Sequence, residues 1–271
     1  MAPGTKVVSP AGQYFAEVLR LLRGKAGLSQ NDLGTRMNYT GAAVSAVETC
    51  AKPATDGFID AAERALDAGG VIGSAGKYLR LERYPEHFQG FVQLEQKALS
   101  VTSFCSQLVH GLLQTEAYAR AVLGCGFPPL DEADIERLTA ARMERAALLT
   151  RRPVCVINIV LEEAALRRRV GGLETMKEQC QHLLECAERP NVVLQVMPMA
   201  RGEHAGVEGP MTLIETPECD RLVYMECNGT STLVARPEDV GVFARRCAMI
   251  GHQALRPEES YGLIEHLAGE L

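Results

Sequence analysis

Tryptophan is absent from the 271-residue chain, and aromatic residues make up only 5% of it. Met176, Met197, Met199, Met211 and Met225 supply soft apolar surface in the second half, suited either to an adaptable cavity or to plain core filling. Positive charge is short as well: 28 Lys and Arg stand against 34 Asp and Glu, a net charge of -6. A surface that attracts phosphate over its whole extent is thereby excluded, and any nucleic-acid role must rest on a local patch. No run is apolar enough for a membrane span or a signal peptide, since even the strongest, 154–161, is interrupted by Asn158. A cytoplasmic protein with no membrane partner is the expectation. The nine cysteines are scattered and contain no C-x-x-C, which speaks against a disulfide framework and a zinc site. No metal and no other cofactor is expected.

What is present is a globular composition, 46% hydrophobic and 23% charged, which excludes collagen-like, low-complexity and coiled-coil classes. The length allows one large or two ordinary domains. Residues 1–70 carry seven Lys or Arg against seven Asp or Glu, so the remainder holds the whole negative balance, 21 against 27. That first stretch reads as short helices with tight connections. Phe15, Val18, Leu19 and Leu22 recur at helical spacing over 13–25, and Gly27 ends the run. Ser29 can cap a second helix over 30–37, Thr40 a third that buries Val44 and Val47, and Phe58, Ile59, Ala62 and Leu66 form an amphipathic fourth. Residues 71–90 read as a helical connector up to a break at Tyr84-Pro85.

Beyond residue 90 helices and strands mix. Helices are predicted over 91–103, 115–123, 131–150, 162–170, 173–188, 237–254 and 257–268, and strands over 154–161, 192–197, 211–215, 222–226 and 231–234. The last three strands follow one another without an intervening helix, which favours an antiparallel component. The expected fold class is therefore α+β: an all-α domain over 1–70, a connector over 71–90, and a mixed α/β domain over 91–271.

Leu19-Arg20, Leu22-Arg23, Gly27-Leu28-Ser29-Gln30 and Leu33-Gly34, followed by Val44-Ser45, Val47-Glu48 and Pro53, resemble the helix-turn-helix domain of XRE (Cro and cI-like) repressors. That resemblance implies operator DNA as a partner, homodimeric binding and a third helix in the major groove. Gln30 would touch phosphate, and Thr40, Gly41, Ala42, Ser45 and Ala46 would face the groove. The remaining chain is similar to the actinobacterial Scr1-like or WhiJ-like regulators, in which such a domain precedes a domain of unknown function. Leu94-Glu95, Gly111-Leu112-Leu113-Gln114-Thr115, Tyr118-Ala119-Arg120-Ala121, Glu163, Leu166-Arg167, Val170-Gly171-Gly172, Gln179, Pro190-Asn191-Val192, Gly209-Pro210, Tyr224 and Glu226 carry the likeness. Such regulators often have a small partner protein encoded nearby, and the resemblance does not imply what the second domain binds; modulation of DNA binding by a metabolite or small protein is the expectation. The chain departs from the family pattern in one important place: residues 40–50 contain no Lys or Arg, and the usual basic stretch after the third helix is Thr49-Cys50-Ala51-Lys52. The commonest bidentate reading of guanine is therefore missing.

Several residues carry two readings. Arg20, Arg23, Lys25, Arg36 and Lys52 are the cations at hand for phosphate, but Arg23 could instead pair with Glu48; Thr40 could read a base or cap its helix. His110, Gln114 and Tyr118 could form the polar wall of a pocket, or His110 could be a satisfied core histidine. Glu163 is either an acid or base at a strand end, or, with Glu162, a capping carboxylate. Tyr224 and Glu226, two apart, share one face of a strand that lines either core or ligand. Arg167-Arg168-Arg169 point in different directions around a helix, as expected of a solvated face with one inward ion pair. Gly70 to Tyr78 misses the P-loop spacing, and no nucleophile elbow or zincin motif occurs, so no catalytic residue is assigned. The leading expectation is a transcriptional regulator. The competing one is a regulator-like chain recruited to secondary metabolism as a small-molecule-binding protein or cyclase for an apolar, polyketide-like substrate, with DNA binding lost.

Overall fold

The computed structural model describes residues 9–81 and 86–271, in two compact units that divide at Gln89 and Gly90. The expected Tyr84-Pro85 break lies outside the described residues. The fold class is α+β, with a helical first unit and a mixed sheet in the second.

In the first unit each of the first four helices begins behind a side chain that satisfies an orphan amide. Helix α1 (Pro10–Lys25) starts with Pro at its first position behind Ser9, whose hydroxyl accepts from the Gly12 amide. Helix α2 (Gln30–Met37) opens with a reciprocal capping box between Ser29 and Asp32 and closes on Asn38 in the left-handed region. Thr40 caps α3 (Gly41–Glu48) and Thr55 caps α4 (Asp56–Leu66). Their apolar faces meet in one core that contains Phe15, Leu19, Leu33, Val44, Phe58 and Ile59. Residues 71–81, expected as connector, form α5 (Val71–Leu81), whose Ile72 and Ala75 belong to that same core. The turn between α2 and α3 is tight enough that a Cβ on Gly34 would lie 2.8 Å from the Gly41 nitrogen.

The second unit is built on a six-stranded sheet in the order β3-β2-β1-β4-β5-β6. Strands β1 (Ser100–Cys105), β2 (Val156–Glu162) and β3 (Val192–Met197) are parallel, while β4 (Met211–Glu215), β5 (Arg221–Cys227) and β6 (Thr230–Val234) run as antiparallel neighbours from β1 outward. Helices fill the connections: α6 (Glu86–Lys97) precedes β1, α7 (Glu116–Gly124) and α8 (Glu132–Arg145) lie between β1 and β2, and α9 (Glu163–Arg167) and α10 (Leu173–Ala187) between β2 and β3. Two further helices, α11 (Pro237–Gln253) and α12 (Pro257–Glu270), end the chain. Side chains alternate across the sheet. Phe104, Val160, Met211 and Val223 face Val240, Cys247 and Ile250 of α11, and Val101, Ile157, Ile159 and Ile214 are buried on the other face.

One expectation is corrected here: the helix predicted over 91–103 ends at Lys97, and residues 100–105 are the central strand β1. Ser100, Thr102 and Ser103 interrupt the apolar pattern of this strand, so its period of two is invisible. Pairing with β2 on one side and β4 on the other imposes the extended form.

A buried ion pair ties α6 to α8. Arg145 donates from Nε and Nη2 to the two Glu95 oxygens at 2.7 and 2.8 Å, and both side chains are buried. A Cβ on Gly111 would lie 3.1 Å from Arg145 Nη1, so the turn at 111–113 rests directly on this guanidinium. Glu95→Ala deprives the buried Arg145 guanidinium of its two-pronged carboxylate and should cost the second unit about 3 kcal/mol, read as a lowered urea midpoint.

Candidate nucleic-acid interface

Glu48, the last residue of α3, is 2% exposed, so its carboxylate must be compensated from within the fold. Arg23 of α1 supplies a two-pronged contact, Nε to Oε1 at 2.6 Å and Nη2 to Oε2 at 2.9 Å. Gln30 of α2 donates to Oε2 at 2.8 Å, and Arg20 donates to the Glu48 carbonyl at 2.5 Å. Two helices, α1 and α2, are thus fastened to the end of α3. Burial by itself would raise the Glu48 pKa, but the hydrogen bonds from Arg23 and Gln30 and the charges of Arg23 and Arg20 hold it below the ordinary value. Hydrogen bonding to Glu48 raises the Arg23 pKa in turn. Of the two readings for Arg23, the structure has the internal pair. It also turns the Gln30 amide inward to the same carboxylate, where the resemblance implied a phosphate contact.

The opposite side of α3 is free of charge. Thr40 is exposed and its hydroxyl accepts the Ala43 amide at 3.1 Å, so it serves as a cap. Gly41 packs against Asn31 of α2. Ala42 is exposed, while Ser45 and Ala46 are half-buried. A groove of about 330 Å³ runs along this side, lined by Tyr39, Ala42, Ala43, Ala46, Lys52 and Phe58 among others. The Tyr39 and Phe58 rings meet edge to face at 5.2 Å. Thr40 also lines the groove, so the structure brings Thr40, Ala42 and Lys52 together there and leaves Gly41, Ser45 and Gln30 outside its lining. Tyr39 and Phe58 were not anticipated as lining; Phe58 reads in sequence only as a core position of α4.

In the second unit His110, Gln114 and Tyr118 gather around residues 109–115, and each is engaged internally. The Leu112 amide donates to His110 Nδ1 at 3.3 Å, which leaves the proton of the neutral ring on Nε2, 3.2 Å from Ser103 Oγ. Ser103 reaches Thr212 Oγ1 at 2.9 Å. Burial pushes the His110 pKa down to about 4. Gln114 donates to the Val109 carbonyl at 2.7 Å and accepts from Arg142 at 2.9 Å, while Tyr118 Oη accepts the Val109 amide at 3.2 Å. Gln179, not singled out as a site residue from sequence, bridges the Thr115 amide and the Leu113 carbonyl at 2.8 and 2.7 Å.

Glu163 stands apart from this cluster. It accepts from Arg167 Nε at 2.6 Å and from the Met199 amide at 2.9 Å, and these bonds keep its pKa low although burial opposes them. Glu162 makes no cap at the helix start; it contacts His204 Nε2 at 2.9 Å. Glu163 stands in the first turn of α9, as the helix-dipole reading expects, but neither carboxylate caps a helix amide: the loop 198–206 gives each a partner, and Arg167 of α9 gives Glu163 another. All three residues of the Arg167-Arg168-Arg169 run are exposed, and Arg167 makes the ion pair with Glu163. Tyr224 donates to Glu226 Oε2 at 3.0 Å and lies against the Phe91 ring, 4.2 Å between centroids; burial and the Glu226 charge raise its pKa. The cavity of about 360 Å³ in this unit lies under α11 and is lined by Thr102, Asn158, Gln195, Glu215 and Arg221 among others, and none of the six residues expected to line a ligand pocket borders it. Among the described residues no group of three or more His, Cys, Asp or Glu is placed to hold a metal ion, and no helix is long and apolar enough to cross a membrane.

Two family models match the chain. A helix-turn-helix domain matches residues 15–71, and the domain of unknown function DUF5753 matches residues 88–266. No curated protein and no solved structure matches it.

Two pH effects follow from the buried groups. The Glu48 carboxylate has a folded pKa below the ordinary 4.5, so its contribution is complete above 4.5 and is lost as pH falls through the lower folded value. Glu48→Gln should flatten this acid limb, as read by amide exchange across α1–α4. His110 is held neutral, so the second unit loses stability as pH falls from 6.5 toward about 4, on the order of 3 kcal/mol in all. In His110→Asn the urea midpoint should no longer slope over that window.

Proposed function

The chain belongs to the DUF5753 family, and because a helix-turn-helix precedes that domain we propose that it is a transcriptional regulator that binds operator DNA through α3. The observation that carries this reading is the division of labour on α3. Its end is anchored by Glu48 to two other helices, α1 and α2, while Thr40, Ala42 and Lys52 border an accessible groove on the other side. A reading helix needs that combination of a fixed pose and a free face. Lys52 is exposed beside the groove and serves as a phosphate contact. Two copies acting as a homodimer would present two α3 helices to major grooves one turn apart, about 34 Å. The resemblance to Scr1-like and WhiJ-like regulators supports a modulating role for residues 90–271, with a small partner protein or an apolar metabolite as the signal. The cyclase reading gains no support from the site residues, since His110, Gln114, Tyr118 and Glu163 are each bound to neighbours within their own unit.

The test is selection from a random-sequence duplex pool at low and moderate salt. Enrichment of defined sequences is expected, together with at least a tenfold loss of binding in Ala42→Glu, a change at an exposed first-turn position that leaves the helical circular dichroism intact. A pool recovered without enrichment even at low salt would contradict the reading.

A further inference from the structure

We propose that α3 reads its operator through the 5-methyl groups of thymine, so that the half-site is recognised by apolar contact in the major groove and not by bidentate hydrogen bonds. This inference rests on the DNA-binding reading given above. Guanine is ordinarily read by Arg or Lys, and adenine by Asn or Gln. From Thr40 to Glu48 the chain has none of these four residue types. The single charged group in that span, Glu48, is buried and fully engaged by Arg23 and Gln30, so it cannot reach a cytosine amino group either. The Thr40 hydroxyl accepts the Ala43 amide as a cap.

What α3 offers is methyl surface at a helical spacing. Ala42 and Ala46 are four apart and therefore share a face, and both line the groove with Ala43. The floor of the groove is aromatic, formed by the edge-to-face pair of Tyr39 and Phe58. Thymine is the one base whose major-groove edge ends in a methyl, and contact with Ala side chains is one of the ways that edge is recognised. Lys52, on the rim of the groove, places a cation for the phosphate backbone without adding any base preference. A protein segment could also enter an apolar groove, but the short side chains of Ala42 and Ala46 leave the α3 backbone close to the surface, as insertion between the walls of a major groove requires.

The experiment uses the full chain and the duplex enriched by selection, compared with the same duplex in which deoxyuridine replaces thymidine. This change deletes the 5-methyl groups and leaves base pairing and every hydrogen-bonding group unchanged, so the protein itself is not altered. Binding should weaken about fourfold for each methyl group buried, and the loss should multiply over the two half-sites. Selection should also return thymine at the positions where deoxyuridine is most damaging. Equal affinity for the two duplexes, with sequence selectivity retained, would overturn methyl reading while leaving the regulator reading in place. A pool that shows no selectivity at low salt would overturn both.

Discussion

The Glu48 carboxylate is buried at the point where α1 and α2 meet the end of α3, and a buried charge is tolerated only when it is paired and hydrogen-bonded. Arg23, Gln30 and Arg20 converge on that one residue to meet this demand. Its consequence reaches past the pair itself. Two of the cations nearest α3 are spent on internal contacts, and the glutamine that opens α2 is spent with them. Helix α3, proposed to read DNA, is held firmly, but at the expense of the polar groups that would ordinarily do the reading. The groove left on its free side is therefore lined by alanine methyls and aromatic rings, with Lys52 as the cation on its rim.

The second unit follows the same logic with different groups. Glu95 and Arg145 neutralise each other between α6 and α8, and the turn at Gly111 closes directly onto the guanidinium. His110, Gln114, Tyr118 and Gln179 then satisfy the backbone of the 109–115 segment, which has no sheet or helix ladder of its own over most of its length. These are polar residues at buried positions, and each has a structural partner. Their concentration around one irregular segment explains why polar residues cluster there in the sequence.

Much of the first unit is legible from sequence because its signals are local. Ser29 with Asp32, Thr40 and Thr55 mark helix starts through hydrogen bonds that span three residues, and Phe15, Leu33 and Val44 keep a helical period. The partner of Gln30 is not legible, because the contact to Glu48 spans 18 positions and depends on how α2 crosses α3. In the second unit, β1 escapes detection because its serines and threonines hide the alternation, and its extended form comes from neighbours more than 50 positions away. Glu163 reads as a capping residue until the loop carrying Met199 is seen to fold back onto it. Local chemistry is thus recoverable from the chain, and long-range pairing of polar groups is what the structure adds.

The central claim is that the Arg23–Glu48 pair acts as one unit that fixes α3, and a double-mutant cycle tests it most directly. Arg23→Met, Glu48→Leu and the double variant would be compared by amide hydrogen exchange across α1–α4 in the full chain. Arg23→Met should cost about 3 kcal/mol by taking the two-pronged partner from the buried Glu48 carboxylate, Glu48→Leu should cost less because Arg23 is partly exposed, and the double variant should cost clearly less than the sum. Costs that simply add, to within about 0.5 kcal/mol, would show that the two residues act independently and that α3 is held by its apolar core alone.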